Sequence, residues 1–227
     1  MRFEDLNWSD IHSYLEKDDR LIFVIGACEQ HAYLSLLTDV KIPLALADAA
    51  SQRSHVLVAP PLNFGCSPYF LKYSGTLSLR ASTMLDVIED LVRSAHGQGF
   101  KRMLFLNGHG GNDLCRTRLY ELASQLTDLK IRWYSWWLAN SVSLVARKYD
   151  LKPAHANWLE AFSFTKVGEN PVGEKAPPVV PGLVGADEAL AIYGDGSFGG
   201  LYEVSNEIMA EVFDAALSDV VQLLKFE

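Results

Sequence analysis

"LIFVIGACEQHAYLSLLTD", Leu21 to Asp39, decides how this chain is read. The run from Leu21 to Ile25 is too short for a helix and rich in branched residues, the mark of a strand buried on both faces. Gly26 ends it, and Cys28, Glu29, His31 and Asp39 follow at once. Glu29 and His31 stand two apart, so in extended backbone their side chains project to the same side. A carboxylate beside a neutral imidazole is a natural start to a divalent-metal site. Asp39 heads the helical stretch "DVKIPLALADAA". Its ordinary reading there is a helix cap, with a further ligand as the alternative.

Three more apolar runs repeat the pattern: "HVLVAP" from His55, "RMLFLNG" from Arg102 and "KIRWYSWW" from Lys130. Helical periodicity separates them. Ser82 is placed to cap a helix with Met84, Val87, Ile88, Leu91 and Ala95 on its apolar stripe, Asp86 near its positive end, and Gly97 and Gly99 closing it. A second helix is expected over about 112–126 and an amphipathic one over about 203–224. Strands alternating with helices give an α/β fold, a mostly parallel sheet covered on both faces through right-handed crossovers. Ligand sites in such sheets gather beyond the carboxyl ends of the strands. The loops at 29–31, 63–69 and 109 are therefore expected to open on one edge.

The 227 residues fit one domain, 1–227. Hydrophobic residues at 49% and charged residues at 21% are ordinary for a globular chain, and no apolar run approaches the ~20 residues of a membrane span. The start, "MRFEDLNWSD", carries no apolar signal core, so a cytoplasmic location is expected. Cys28, Cys66 and Cys115 are odd in number and form no CxxC pair, which argues against a disulfide framework. Cys28 reads as a small packing residue. A formal charge of -8 with scattered basic residues disfavours nucleic acid as a partner. Over 166–200 the texture changes to "GENPVGEKAPPVVPG" and "GDGSFGG", with "ADEALAIY" helical between them. Such a stretch reads as a lid or an oligomer arm.

Among the histidines, His12, His55 and His96 lie in polar surroundings and read as surface imidazoles. His109 lies in "NGHGGN", where glycines allow unusual backbone and close approach. The segment is either an anion cradle at a helix start or a rigid mount for a ligand; Asn112 and Asp113 stand where a phosphate loop would want a lysine. Glu160 follows His155 by five residues in "HANWLEAF" and is either a ligand or a solvated helix residue. Composition and spacing thus point to a metal site of Glu29, His31 and His109, with Asp39, His155 and Glu160 as candidates.

"GACEQHAYLSLLTD", "SGTLSLRASTMLDVIEDLVRSAHGQGFKRMLFLNGHGGN" and "HANWLEAF" resemble, in order, the three signature regions of the creatininase family, the creatinine amidohydrolase superfamily. The family patterns are EQHGxHLPLxTD, a GT(I/L)SL segment leading to NGHGGN, and HAGxxE. The resemblance implies a three-layer α/β/α sandwich and two divalent metal ions per chain, of Zn, Mn or Fe. Asp39 would bridge them, with Glu29 and His109 on one ion, His31 on the other and Glu160 as the remaining carboxylate. It also implies a homo-oligomer, with a hexamer as the family habit. A water between two divalent ions is acidified enough to attack an amide near neutral pH, and His155 would carry a proton to the leaving nitrogen. Tyr69, Gly110, Gly111, Asn112, Trp136 and Trp158 are the expected substrate contacts; Trp133 reads as core, and Trp136 and Trp137 fit either core or an aromatic pocket.

The chain also departs from the pattern. The 29–39 stretch is one residue short, the second histidine of EQHGxH has no counterpart, and Ala32 replaces a glycine. "GCSPYFLKYSGT" carries Tyr69, Phe70, Tyr73 and Ser74 where relatives have Glu-His ahead of Phe-Pro-Gly-Thr, and Asn157 replaces the HAG glycine. The expectation is a metal-dependent amidohydrolase for a small cyclic amide or formamide, creatininase-like or deformylase-like. A peptidase-like member trimming a modified peptide and a non-catalytic metal-binding scaffold are the alternatives.

Overall fold

The computed structural model describes residues 1–227. After α1 (Trp8–Leu15), the chain runs β1 (Arg20–Ile25), α2 (Thr38–Ser54), β2 (Leu57–Val58), α3 (Ala81–Gln98), β3 (Arg102–Asn107), α4 (Cys115–Gln125), β4 (Lys130–Ser135) and α5 (Asn140–Lys148). The remainder holds β5 (Glu174–Lys175), α6 (Ala186–Tyr193), β6 (Gly200–Leu201) and α7 (Asn206–Leu223). Strands β1 to β4 form one parallel sheet in the order β2-β1-β3-β4.

Strand alternation sorts the core into two layers. Ile22, Val24, Leu104 and Leu106 point to the face covered by α2, α5 and α7. Leu21, Phe23, Ile25, Met103 and Phe105 point to the face covered by α3 and α4. The result is a three-layer α/β/α sandwich. Its sheet leaves the loops after β1, β2 and β3 on one edge, because all the strands run parallel.

Several local boundaries differ from the sequence reading. Ser82 does not cap α3: the helix starts at Ala81, Arg80 holds the cap position, and no side chain caps it. The helix after β3 starts at Cys115, because a tight 3₁₀ turn (Gly110–Leu114) comes first. The amphipathic C-terminal helix starts at Asn206. Strand β4 is a half-exposed edge strand, unlike the buried strand expected, and it ends at Ser135. Trp136–Leu138 is a 3₁₀ turn, and this reverses which tryptophan faces the core.

The 166–200 segment is more ordered than its composition suggests. Strands β5 and β6 pair antiparallel, and Lys175 Nζ donates to Tyr193 O (2.5 Å), Asp195 Oδ1 (2.5 Å) and Ser197 O (2.7 Å). Helix α6 packs through Ala189 and Tyr193 against Phe70 in a small apolar cluster of its own. This fastens the segment over the 68–73 turn beside the strand ends. No helix is long and apolar enough to cross a membrane.

Candidate metal centre

Close backbone packing places Asp39. Pro43 lies inside α2 and has no N–H to offer the carbonyl of Asp39. That carbonyl packs against two glycines: a Cβ on Gly26 would lie 2.6 Å from Asp39 O, and one on Gly108 1.8 Å. Only with glycine at both strand ends does the start of α2 come this near to β1 and β3. Asp39 caps nothing. Its Oδ1 lies 2.9 Å from His31 Nε2 and its Oδ2 3.0 Å from His109 Nδ1.

Both imidazoles are held from behind. His31 Nδ1 sits 3.2 Å from the carbonyl of Glu29, and His109 Nε2 sits 2.8 Å from the carbonyl of Cys66. A carbonyl only accepts, so each of these nitrogens carries the proton, and a neutral ring turns its lone pair toward the carboxylates. Such backing fixes a metal-binding histidine. Glu29 Oε1 lies 3.3 Å from His109 Nδ1, and Glu160 Oε1 lies 3.8 Å from His31 Nε2. Glu160 is steadied by the Ala156 N–H, which donates to its Oε2 (2.6 Å), in the 3₁₀ turn Trp158–Glu160. It is a buried turn residue, not a solvated helix residue.

Three groups of possible ligands result: Glu29–Asp39–His109 and His31–Asp39–Glu160, which share Asp39, and Glu29–His31–His155. Glu29 Oε2, His31 Nε2 and Asp39 Oδ2 are buried without a hydrogen bond, although His31 Nε2 and Asp39 are close. Buried polar atoms normally find partners, and these point at one another across spacings that suit ligands about 2 Å from shared ions. The residues present therefore fit divalent-metal binding. The same carboxylates favour positive charge at the imidazole nitrogens that face them, whether a proton or a metal ion in its place. Burial alone would lower the His31 pKa, but Asp39, Glu160 and Glu29 carry it up to about 10. Burial likewise opposes charge on His109, and Glu29 and Asp39 hold it well above the ordinary value. Burial raises Glu160 to about 7, with Asp39 and Glu29 adding to the effect against His31. The cluster attracts positive charge.

His155 abuts the cluster: its ring lies 4.5 Å from that of His31, and its Nδ1 lies 3.9 Å from Glu29 Oε1. Burial, with His31 and His109 nearby, pushes its pKa well below the ordinary value, so the ring is neutral. Its ring stacks on Phe70 at 5.0 Å and lies 4.8 Å from Phe198. A cavity of about 350 Å³ opens beside it and the cluster, bounded also by Tyr69, Gly110, Trp137, Leu138, Pro153 and Phe198. No lysine or arginine lines it.

Four of the expected substrate contacts are elsewhere. Trp136 and Trp158 are buried in the α2–α5–α7 core, because the chain leaves β4 at Ser135 and Trp158 sits inside its own turn. Asn112 is fully buried and holds loops together: its Nδ2 donates to Gly26 O (3.0 Å), and its Oδ1 accepts from Cys66 N–H (3.3 Å). Gly111 admits the Cys66 carbonyl to His109, since a Cβ there would lie 1.9 Å from that oxygen. Tyr69 and Gly110 do border the cavity. Trp137, left open in the sequence between core and an aromatic pocket, borders it as well, and so do Leu138, Pro153 and Phe198, which the sequence did not single out. Ala32, where the family pattern has glycine, keeps a left-handed φ of 49°.

Fold and cluster together define an α/β sandwich protein with a buried, cation-seeking carboxylate–imidazole site. Residues 4–224 match the creatininase family model, described as creatinine amidohydrolase, and the chain belongs to this family. It is 25% identical over 146 residues to creatinine amidohydrolase of Pseudomonas putida, a match covering 59% of this chain and 56% of that protein. It is 33% identical over 102 residues to a mycofactocin precursor peptide peptidase of Mycobacterium ulcerans (strain Agy99), covering 40% of each. These matches span about half or less of the curated relatives' length. A solved tryptophan-to-phenylalanine mutant of creatininase, type II, superposes with a TM-score of 0.85 at 20% identity, over 99% of this chain and 97% of that one.

Proposed function

We propose that the chain is a divalent-metal-dependent amidohydrolase that cleaves a C–N bond in a small, uncharged cyclic amide or formamide. The observation that carries this is Asp39, whose two oxygens each face a different, backbone-braced imidazole. Glu29, Asp39 and His109 would hold one ion, and His31, Asp39 and Glu160 the second. When bound, such ions supply Lewis acidity at a carbonyl and acidify water near neutral pH. His155, beside His31 and Glu29, would carry the proton to the leaving nitrogen. Tyr69, Trp137 and Phe198 orient a flat substrate and exclude water, and a wall without lysine or arginine offers nothing to pair with an additional anionic group.

A peptide substrate is the second reading. It is favoured by a further cavity of about 660 Å³ that shares Pro153, Ala154 and Phe198 with the first, room for a chain leading away from the ions. We also read the chain as one domain acting as a cytoplasmic homo-oligomer. Val172, Val179 and Leu183, fully exposed on the 166–200 segment, support an oligomer arm there.

The test uses purified protein reconstituted with Mn, Zn or Fe. Solved creatininases described as a zinc–zinc type and as a manganese form guide that choice. About two ions per chain are expected, with turnover on a panel of lactams, formamides and short peptides. Asp39→Asn should lower that turnover about a thousand-fold or more, the equivalent of several kcal/mol of transition-state stabilisation. Fewer than about one ion per chain, or a fully active Asp39→Asn, overturns the reading.

A further inference from the structure

The outer edge of the sheet carries a groove that the hydrolytic site does not use. Strand β4 ends the β2-β1-β3-β4 order, so one side of its backbone has no partner strand. Ile131 and Trp133 of β4 line a groove of about 400 Å³ with Tyr120 and Ala123 of α4, and Arg116 and Arg132 lie in its wall. Trp133 is fixed: its indole N–H donates to Ser135 Oγ (3.0 Å), and its ring stacks on Phe105 at 6.4 Å. Tyr120 stands open at 69% exposure. Aromatic rings set in an apolar groove are the chemistry that holds a proline-rich chain. The rim is basic as well, since Arg118 is taken up by Glu89 and Glu121 while Arg116 is left to solvent.

The chain itself supplies a segment of that kind. "APPVVPGLV", Ala176 to Val184, sets Pro178 and Pro181 at P-x-x-P spacing and makes no backbone hydrogen bond. Polyproline II geometry forms none internally and loses little freedom when it docks. Val179 and Leu183 are 90% and 107% exposed. Aliphatic side chains gathered and bare in this way mark an interaction site. Glu169 and Glu174, both exposed, lie just ahead of the segment. Lys175, the one lysine or arginine between 167 and 224, is turned away into the clamp on Asp195. The segment therefore presents an apolar, proline-rich run with an acidic flank.

We propose that the β4 groove of one copy receives the 176–184 arm of a second copy, a reading that rests on the proposed homo-oligomer. The prolines lie against the rings of Tyr120 and Trp133, Val179 and Leu183 leave water, and the acidic flank comes beside Arg116 and Arg132. Charge selects this pairing over its rival. Joining two β4 edges would set Arg116, Lys130 and Arg132 of one copy against the same residues of the other, and these repel. The arm brings carboxylates instead. Arm and groove are different surfaces, so the contact is heterologous and propagates until a ring closes. The arm belongs to the segment that carries Phe198, so a neighbouring copy helps to hold one wall of the cavity.

The test is sedimentation velocity on the full chain across micromolar concentrations, joined to photo-crosslinking. Wild type should self-associate. Val179→Ser combined with Leu183→Ser, at two side chains exposed in the single copy, should weaken association about tenfold or more. Arg116→Glu and Glu174→Arg should each weaken it about two- to fivefold. Combined, they should restore it, because the swap rebuilds the pair. A photo-crosslinking side chain in place of Tyr120 should join to 176–184 of a differently isotope-labelled copy. Association indifferent to the arm pair and to both charge reversals overturns the inference and leaves the homo-oligomer standing. So does association that needs the arm while position 120 crosslinks to another region, or to 176–184 of its own copy. A wild type that stays monomeric overturns both readings.

Discussion

The two walls of the cavity are made in different ways. The ion-facing wall joins the ends of β1 and β3 to the start of α2 by backbone contact. Gly26, Gly108 and Gly111 admit carbonyls that a Cβ would exclude, Pro43 leaves the Asp39 carbonyl free, and Asn112 ties three loops. The opposite wall, Trp137, Pro153 and Phe198, meets the cluster at His155, which stacks on Phe70 and Phe198, and a polar clamp in the 166–200 segment holds it. Rigid backbone contact suits a metal cage, where ligand positions are set to tenths of an ångström. Side-chain packing tolerates replacement, and a substrate wall built this way changes without disturbing the cage.

Gly108→Ala should break the first wall outright. The added methyl would meet the Asp39 carbonyl at 1.8 Å, so α2 must retreat from β3 and take Asp39 with it. Overpacking costs about 1–3 kcal/mol, which the fold tolerates but the ion site does not. The expected outcome is a folded protein by circular dichroism that binds fewer metal ions and has lost nearly all turnover. Normal metal content in Gly108→Ala would show that the glycine contact does not set the cage.

The same contrast decides what could be read from sequence. Strands β1 and β3 were legible because buried parallel strands are continuous apolar runs. Glu29, His31 and His109 were legible because they sit directly after those runs. Spacing alone left Asp39 as a cap, since an acid at a helix start satisfies both readings; only the braced imidazoles on each side separate them. The opposite wall depends on contacts between residues more than a hundred positions apart, such as Gln30 with His155 and Gly196. No periodicity encodes those. Trp136 and Trp137 show the limit most clearly, because a strand ending two residues early exchanges their roles.

That exchange offers a sharper test of the second wall. Trp136 is fully buried against Phe162 at 6.0 Å, while Trp137 borders the cavity. Trp136→Ala should cost about 3–5 kcal/mol of stability in urea unfolding. Trp137→Ala should leave the unfolding midpoint nearly unchanged and raise KM up to about tenfold, as expected for about 1 kcal/mol of lost stacking felt equally in ground and transition states. Equal stability losses in the two variants would place Trp137 in the core as well.

The smallest effect expected lies in the clamp that holds the 166–200 segment. Asp195 accepts from Lys175 Nζ and from the Tyr202 hydroxyl (2.6 Å). Partial burial opposes its charge, but Lys175 and Tyr202 outweigh that and hold its carboxyl below the usual range. A carboxylate whose folded pKa is depressed stabilises the fold fully above its unfolded value of about 3.9, and loses that contribution as pH falls through the lower folded value. The melting temperature of Asp195→Asn should therefore lie below wild type by a constant gap near neutral pH, and the gap should narrow below about pH 4. Hydrogen exchange in 174–202 should rise in the variant while exchange in β1 and β3 stays unchanged, since the clamp touches neither strand. A gap that stays constant to the lowest pH would mean the segment is held by its apolar contacts with Phe70 and Tyr193, and that the second wall owes nothing to charge.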